Sequence, residues 1–253
     1  MKKRLKSLLL FLAIATAAFS QTLDDKRDNI WLFGYGSANS EPPFGWTTLD
    51  FANDSLVIFY QHRYIDLFQE NASICDTNGN LLFYTNGVKI ANASNQLMLN
   101  GDELNPGIFT SAYPSGLPMS QGALALPLPG SDSLYVLVHG YLNVYEDPVD
   151  PLVCMSNLYY SIIDMSKASG LGAVIEKNVE ILADTLAFGK ITAVRHGNGR
   201  DWWVVAPENS TNCYYRFLLT PNGLSGPEKQ CIGNVVKDGL GQAVFSPDGA
   251  KYA

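Results

Sequence analysis

Ser73-Ile-Cys-Asp-Thr-Asn-Gly-Asn-Leu-Leu-Phe-Tyr84 reads as a short apolar strand, a tight turn of Asp, Asn and Gly, and a second apolar strand. The same pattern returns in Ala123-Leu-Ala-Leu-Pro-Leu-Pro-Gly-Ser-Asp-Ser-Leu-Tyr-Val136 and in Ala193-Val-Arg-His-Gly-Asn-Gly-Arg-Asp-Trp-Trp-Val204. A fourth copy opens at Ala243-Val-Phe-Ser-Pro-Asp-Gly-Ala-Lys-Tyr252. The copies begin at residues 73, 123, 193 and 243, so their spacing is 50, 70 and 50 residues. Strand repeats of about 40–50 residues predict β-propeller blades, each a four-stranded antiparallel meander. The expected fold class is therefore all-β, with about three blades and the start of a fourth. Propellers host many unrelated activities, so function has to be argued from particular residues.

Working outward, the third repeat predicts strands at 191–196, 202–206, 213–219 and 231–236, separated by Gly-, Asn- and Pro-rich turns. The first predicts strands at 72–75, 81–85, 88–91 and 96–99. The second predicts strands at 122–126, 134–139, 158–164 and 174–182, and its extra residues fall mainly in 141–156. Upstream, Ile30-Trp-Leu-Phe33 and Leu56-Val-Ile-Phe-Tyr60 look like strands, one of which could close a last blade. No stretch offers a long amphipathic helix, and 164–170 is at most one turn. The fourth copy reaches only Tyr252-Ala253, which predicts a propeller domain over 21–253 cut inside a blade.

Residues 1–20 read as a secretory signal peptide. Lys2, Lys3, Arg4 and Lys6 precede an apolar run too short to span a bilayer, and Ala18-Phe-Ser20 is a small-x-small cleavage site. Without those four cations, 13 basic residues face 24 acidic ones, a formal net charge of −11. Such a surface repels phosphate backbones and anionic lipid heads, which disfavours nucleic-acid and membrane-surface partners. No later stretch is long and apolar enough to span a bilayer.

Export makes disulfides permissible for Cys75, Cys154, Cys213 and Cys231. Cys213 and Cys231 flank Thr220-Pro-Asn-Gly223 symmetrically about Asn222. A simple hairpin centred there sets them face to face, so a bridge and a pair of free buried thiols are both open readings. The cysteine spacing and the three histidines give no metal motif, and no cofactor is expected.

Several of these phrases occur in a familiar order: Ile30-Trp-Leu-Phe-Gly34, the Ser73–Tyr84 unit followed by Thr85-Asn-Gly87, and Tyr159-Tyr-Ser-Ile-Ile-Asp-Met165 with Gly170-Leu-Gly172. Thr192-Ala-Val-Arg-His196 with Asp201-Trp-Trp-Val-Val205 and Phe245-Ser-Pro-Asp-Gly249 complete it. This order resembles the N-terminal propeller region of large secreted Bacteroidetes proteins, many ending in a type IX secretion sorting domain and some labelled gliding-motility-associated. The resemblance covers most of residues 30–253. It implies an exported propeller, secreted or on the outer surface of a Gram-negative cell, that meets the secretion machinery. It carries no catalytic residues.

Candidate chemistry is sparse. His62, His139 and His196 come with no Gly-x-Ser-x-Gly elbow, so no triad is expected. Asp76-Thr-Asn-Gly-Asn80 starts like a calcium loop, but Leu81 and Gly87 occupy its required Gly and Glu positions, so a hairpin turn is expected. Acidic clusters at Asp102-Glu103 and at Glu146, Asp147 and Asp150 could serve a glycosidase, although loop carboxylates are usually solvated. Trp202 and Trp203 should point to opposite faces of one strand and pack.

Loop placement is more informative. Strands alternate direction within a blade, so the long links 100–121 and 140–157 should emerge on the same side. They carry Phe109, Tyr113, Tyr141, Tyr145 and Glu146, aromatic and acidic groups suited to carbohydrate or peptide binding on a rigid scaffold. The plainer alternative is that these links only cover sheet edges. The sequence thus predicts a binding or scaffold module for extracellular glycan or protein. The alternative is a propeller hydrolase or lyase acting on extracellular polysaccharide.

Overall fold

The structure, a computed structural model, describes residues 26–34, 45–52, 55–145, 152–235 and 241–253. The signal-peptide segment 1–20, Glu146 and the other acidic residues of 146–150 lie outside them.

The described chain is all-β and forms four antiparallel sheets of three or four strands. The first holds β1 (Ile30–Phe33), β2 (Thr47–Asp50) and β3 (Val57–Tyr60). The second holds β4 (Ala72–Cys75), β5 (Leu81–Thr85) and β6 (Ile90–Asn92). The third holds β7 (Ala123–Pro127), β8 (Leu134–Tyr145), β9 (Leu152–Asp164) and β10 (Ala173–Leu186). The fourth holds β11 (Thr192–Arg195), β12 (Trp202–Pro207), β13 (Cys213–Thr220) and β14 (Gly223–Cys231). Each sheet is an up-and-down meander in chain order. Beyond them, Phe245 and Tyr252 bridge across the Ser246-Pro-Asp-Gly249 turn, where Gly249 takes a φ of 70°.

The turns form for local reasons. Asp76 Oδ1 accepts from the backbone N–H of Asn78 (2.8 Å) and Asn80 (2.9 Å), and Gly79 takes φ 90°. Although its partial burial works the other way, donors from Asn80, Asn78 and Gly79 hold the Asp76 carboxyl below the usual range. This is the hairpin expected in place of a calcium loop.

The sheets stack face to face in sequence order. Leu32 and Ile30 of the first sheet pack with Tyr84 and Ala91 of the second. Phe83 and Ile90 of the second pack with Tyr135, Leu137 and Ile163 of the third, Phe83 meeting Tyr135 edge-on at 5.8 Å. Val136, Val138 and Leu158 then turn from the third sheet toward Val204, Phe217 and Leu219 of the fourth. A sheet covered on both faces needs apolar residues at successive positions, which is why Leu134-Tyr-Val-Leu-Val138 shows no polar alternation.

First strands converge. β1 lies beside β4 and β4 beside β7, and Ser73 Oγ donates to Ile30 O at 3.0 Å. The residues leading into these strands also meet. The Glu70 carboxylate accepts from Gly122 N (2.7 Å) and Ala123 N (3.1 Å). Gln121 accepts from Ile191 N at its carbonyl (3.0 Å), and its side-chain amide pairs with both Ala243 O (2.7 Å) and Ala243 N (2.8 Å).

Three expectations need correction. The last strand of the third repeat is Gly223–Cys231, not 231–236: Thr220-Pro-Asn-Gly223 is a tight hairpin, so pairing starts again at once at Thr220↔Gly223. The link 140–157 is mostly not a loop, because β8 and β9 stay paired out to Tyr145↔Leu152. Residues 96–99 form no named strand, only an isolated Ala91↔Leu97 bridge. Separately, Ile30–Phe33 and Val57–Tyr60 belong to one sheet, with Thr47–Asp50 between them. Cys213 and Cys231, in direct register across β13 and β14, form a disulfide, while Cys75 and Cys154 are buried and outside it.

Candidate functional site

The 100–121 link and the β8–β9 arm meet on one side of the third sheet. The 100–121 link carries α1 (Ile108–Ala112), a single turn of helix set against β8. It is fastened at its start. Lys177 Nζ on β10 donates to Asn100 Oδ1 (3.0 Å) and Asp102 O (2.9 Å), and Asn178 Nδ2 donates to Glu103 O (2.9 Å). Gly107 then lies directly under the Tyr141 ring, where a Cβ would overlap the phenol.

Phe109 and Tyr113, four residues apart on this turn, stack with ring centroids 6.2 Å apart and planes 9° apart. Phe109 leans on the core, whereas Tyr113 and Ile108 are exposed. On the sheet, Leu137, His139 and Tyr141 share the face that looks toward the second sheet, and Tyr141 stands beyond its covered part. Opposite Tyr141 is Asn157, and opposite His139 are Tyr159 and then Glu180. Asn157 Nδ2 donates to Glu180 Oε2 at 2.8 Å. Burial pushes the Tyr159 phenol up, and the neighbouring Glu180 and Tyr141 add to that. The result is a shelf on the sheet, Tyr141 and Tyr159 with an amide and a carboxylate along one side, which meets at Gly107 the link that carries Phe109 and Tyr113.

Of the sequence-predicted residues, Phe109 and Tyr113 stack on each other, and Tyr141 meets their link at Gly107. Tyr145 ends β8, farther along the same hairpin arm.

Beneath the shelf lies a buried polar chain that sequence reasoning missed. His139 Nδ1 is 2.7 Å from Asn105 Oδ1, and His139 Nε2 is 2.9 Å from Ser161 Oγ. The Asn178 backbone N–H donates to Ser161 Oγ (3.1 Å), and Asn105 Nδ2 donates to Gly87 O (3.1 Å). One assignment satisfies every group: Ser161 donates to an unprotonated Nε2, and a protonated Nδ1 donates to Asn105. These are the separations of a nucleophile–base–orienter set. Its chemistry is closed off, because His139 and Ser161 are 0% exposed and burial pushes the imidazole down to about 3. A base that weak, with no approach for substrate, holds structure instead: it ties α1's link to the third sheet.

Glu70 was missed as well. It is 0% exposed, and burial pushes its carboxyl well above the usual carboxylate range against the pull of the Gly122, Ala123 and Asn71 N–H donors. A signal existed: Glu70 and Gln121 both stand two residues before a first strand, at Ala72 and Ala123.

The other histidines are structural in their contacts. His62 lies against Trp46 at 4.4 Å, and His196 Nδ1 accepts from Asn198 N in its own turn. Trp203 meets His196 at 5.5 Å, while Trp202 carries the Arg195 guanidinium over its ring at 3.9 Å, so the two indoles do diverge. That Arg195–Trp202 pair borders a cavity of about 300 Å³ where the first strands converge, lined also by Arg27, Asp28, Ser73 and Ala125 to Pro127. Among the described residues no three His, Cys, Asp or Glu side chains cluster to hold a metal, and no helix is long and apolar enough to cross a membrane. No family model, no curated protein and no solved structure matches the chain.

Proposed function

We propose that this chain is an exported β-propeller module that binds extracellular glycan on the Tyr141–Tyr159 shelf and the link that carries Phe109 and Tyr113. The carrying observation is the meeting of the 100–121 link with the β8–β9 arm, with Tyr141 seated on Gly107 of the link that carries the stacked Phe109 and Tyr113. Flat aromatic rings offer apolar platforms to the C–H faces of sugars, and the Asn157–Glu180 pair offers donors and acceptors to hydroxyls. The shelf stands on paired strands and a buried polar chain, so little ordering is needed on binding.

A radial propeller arrangement is supported by the convergence of unit starts through Glu70, Gln121, Ile191 and Ala243. Export is supported by the signal-peptide pattern and, weakly, by the Cys213–Cys231 disulfide, which suits an oxidising compartment. Passage through a secretion machinery follows from the same reading. Binding is favoured over hydrolysis because the two strongly perturbed groups near the shelf's foundations, Glu70 and His139, are sealed between sheets.

A glycan array followed by titration of the best ligand tests this. Tyr113→Ala and Tyr141→Ala should each weaken binding by roughly tenfold, as loss of an aromatic anchor does. Unchanged affinity in both variants, or turnover of the bound glycan, refutes the proposal.

A further inference from the structure

The outer edges of the four sheets are not treated alike. β10 ends its sheet with Glu176, Lys177 and Glu180 and with several register shifts. β14 ends its sheet with Pro227, Glu228 and Lys229. β6 is covered by the Ala91↔Leu97 bridge and by Met98 N donating to Ile90 O at 3.0 Å. Charge, proline, bulges and cover are the usual means of keeping a sheet edge from recruiting another strand. Among the described residues, β3 has none of these. It is the outer strand of a three-stranded sheet, at the place beyond which β10 and β14 supply a fourth strand elsewhere.

Its side chains are apolar and open on both faces. Leu56 is 50% exposed, Val57 46%, Ile58 62%, Phe59 40% and Tyr60 37%. No bridge or backbone hydrogen bond among the described residues reaches the outer side of β3. Gln61 N–H donates inward to Trp46 O at 3.4 Å. By alternation, the amides and carbonyls of Ile58 and Tyr60 point to the open edge.

We infer that β3 is a strand-pairing surface that joins this chain to a second copy of itself, β3 antiparallel to β3 about a two-fold axis through Ile58. The geometry selects that register. A two-fold axis perpendicular to a continuous sheet keeps its faces matched, so a residue must pair with its own image or with one an even number of positions away. Centring on Ile58 sets Ile58 opposite Ile58, Val57 opposite Phe59 and Leu56 opposite Tyr60 of the second copy. Every cross-strand pair is then apolar, with β-branched or aromatic members, the kind that stabilises sheets. Centring on Phe59 instead brings Gln61 and His62 opposite Val57 and Leu56. The chain carries a net negative charge, yet no charge lies within Leu56–Tyr60 to repel its image. A charged or proline-bearing strand from another protein fits this edge less well than the edge fits itself. The pairing yields a six-stranded sheet and leaves the Tyr141–Tyr159 shelf untouched.

The test is the oligomeric state of the purified chain by light scattering across micromolar to about millimolar concentration. The expected result is a monomer–dimer equilibrium. Ile58→Lys sets two ammonium groups directly opposite each other and should raise the dimer dissociation constant by about tenfold or more. Because Ile58 is exposed, that variant should keep the wild-type tryptophan fluorescence and, at concentrations where the wild type is monomeric, its thermal transition. Ile58→Cys should cross-link to its image under mild oxidation, whereas Phe59→Cys, whose opposite neighbour is Val57, should not. A wild-type chain that stays monomeric throughout overturns the inference. So does an Ile58→Lys dimer of unchanged strength, or cross-linking at Phe59→Cys equal to that at Ile58→Cys.

Discussion

Acid should act on this fold through His139, and the size of the effect follows from the structure. The imidazole is fully buried, bonded to Asn105 and Ser161, with its pKa pushed down from 6.5 to about 3. A depressed folded-state pKa means that the unfolded chain binds the proton more readily. The stability His139 contributes is therefore fully present above about pH 6.5 and is lost as pH falls toward about 3. Each pH unit in that window costs about 1.4 kcal/mol, so about 2 kcal/mol is gone by about pH 5, a large share of a typical 5–15 kcal/mol. Glu70 works in the opposite sense. Its carboxyl is raised above 4.5, so its contribution is full below that value and is lost as pH rises. Above about pH 4.5 the two slopes oppose each other, so the wild-type profile alone does not separate them. A variant separates them. Urea unfolding of wild type and His139→Gln, followed by tryptophan fluorescence from about pH 7.5 to about pH 4.5, isolates the histidine. The stability advantage of wild type should shrink by about 1.4 kcal/mol per pH unit below about 6.5. A constant advantage across that range would show that the imidazole titrates normally, and the buried-chain reasoning would fail.

Glu70→Gln should show the mirror image, with wild type losing stability relative to the variant as pH rises above 4.5; parallel profiles in the same urea series count against it. Glu70→Ala leaves the backbone N–H groups of Gly122 and Ala123 without their acceptor and should cost about 2–4 kcal/mol, read as a lower urea midpoint at unchanged slope. Replacing Cys213 and Cys231 with serine removes a cross-link across an 18-residue separation and should cost about 3 kcal/mol. A loss below about 1 kcal/mol in calorimetry would show that the hairpin is held without it.

Features set by neighbours in sequence were legible in it. The Asp76–Asn80 and Ser246–Gly249 turns, the strand pairs flanking them and the symmetric placement of Cys213 and Cys231 all depend on a few adjacent residues. The side shared by the two long links was legible too, because strand alternation fixes it. What escaped reading depends on partners far along the chain. Thr47-Thr-Leu-Asp50 is too polar to announce a strand and becomes one between Ile30–Phe33 and Val57–Tyr60. Gly223–Cys231 carries Pro227, Glu228 and Lys229, an edge composition, and is a strand because β13 pairs with it. The Tyr141–Tyr145 arm reads as loop because Gly140 and Asn143 interrupt it, and its order comes from β9. Asn105, His139 and Ser161 lie 22 and 34 residues from their bonding partners, and Glu70 lies 52 and 53 residues from Gly122 and Ala123. No local pattern encodes those distances. Comparing equivalent positions between units, as with Glu70 and Gln121, is the one route by which the sequence exposes them.

Calorimetric titration of an array-selected oligosaccharide into wild type and Tyr113→Ala tests the central claim most directly. Tyr113 is exposed, so its removal should leave folding intact while weakening binding by about 1–2 kcal/mol, roughly tenfold. Equal affinities would place the ligand elsewhere and contradict the shelf and its adjoining link as the functional surface.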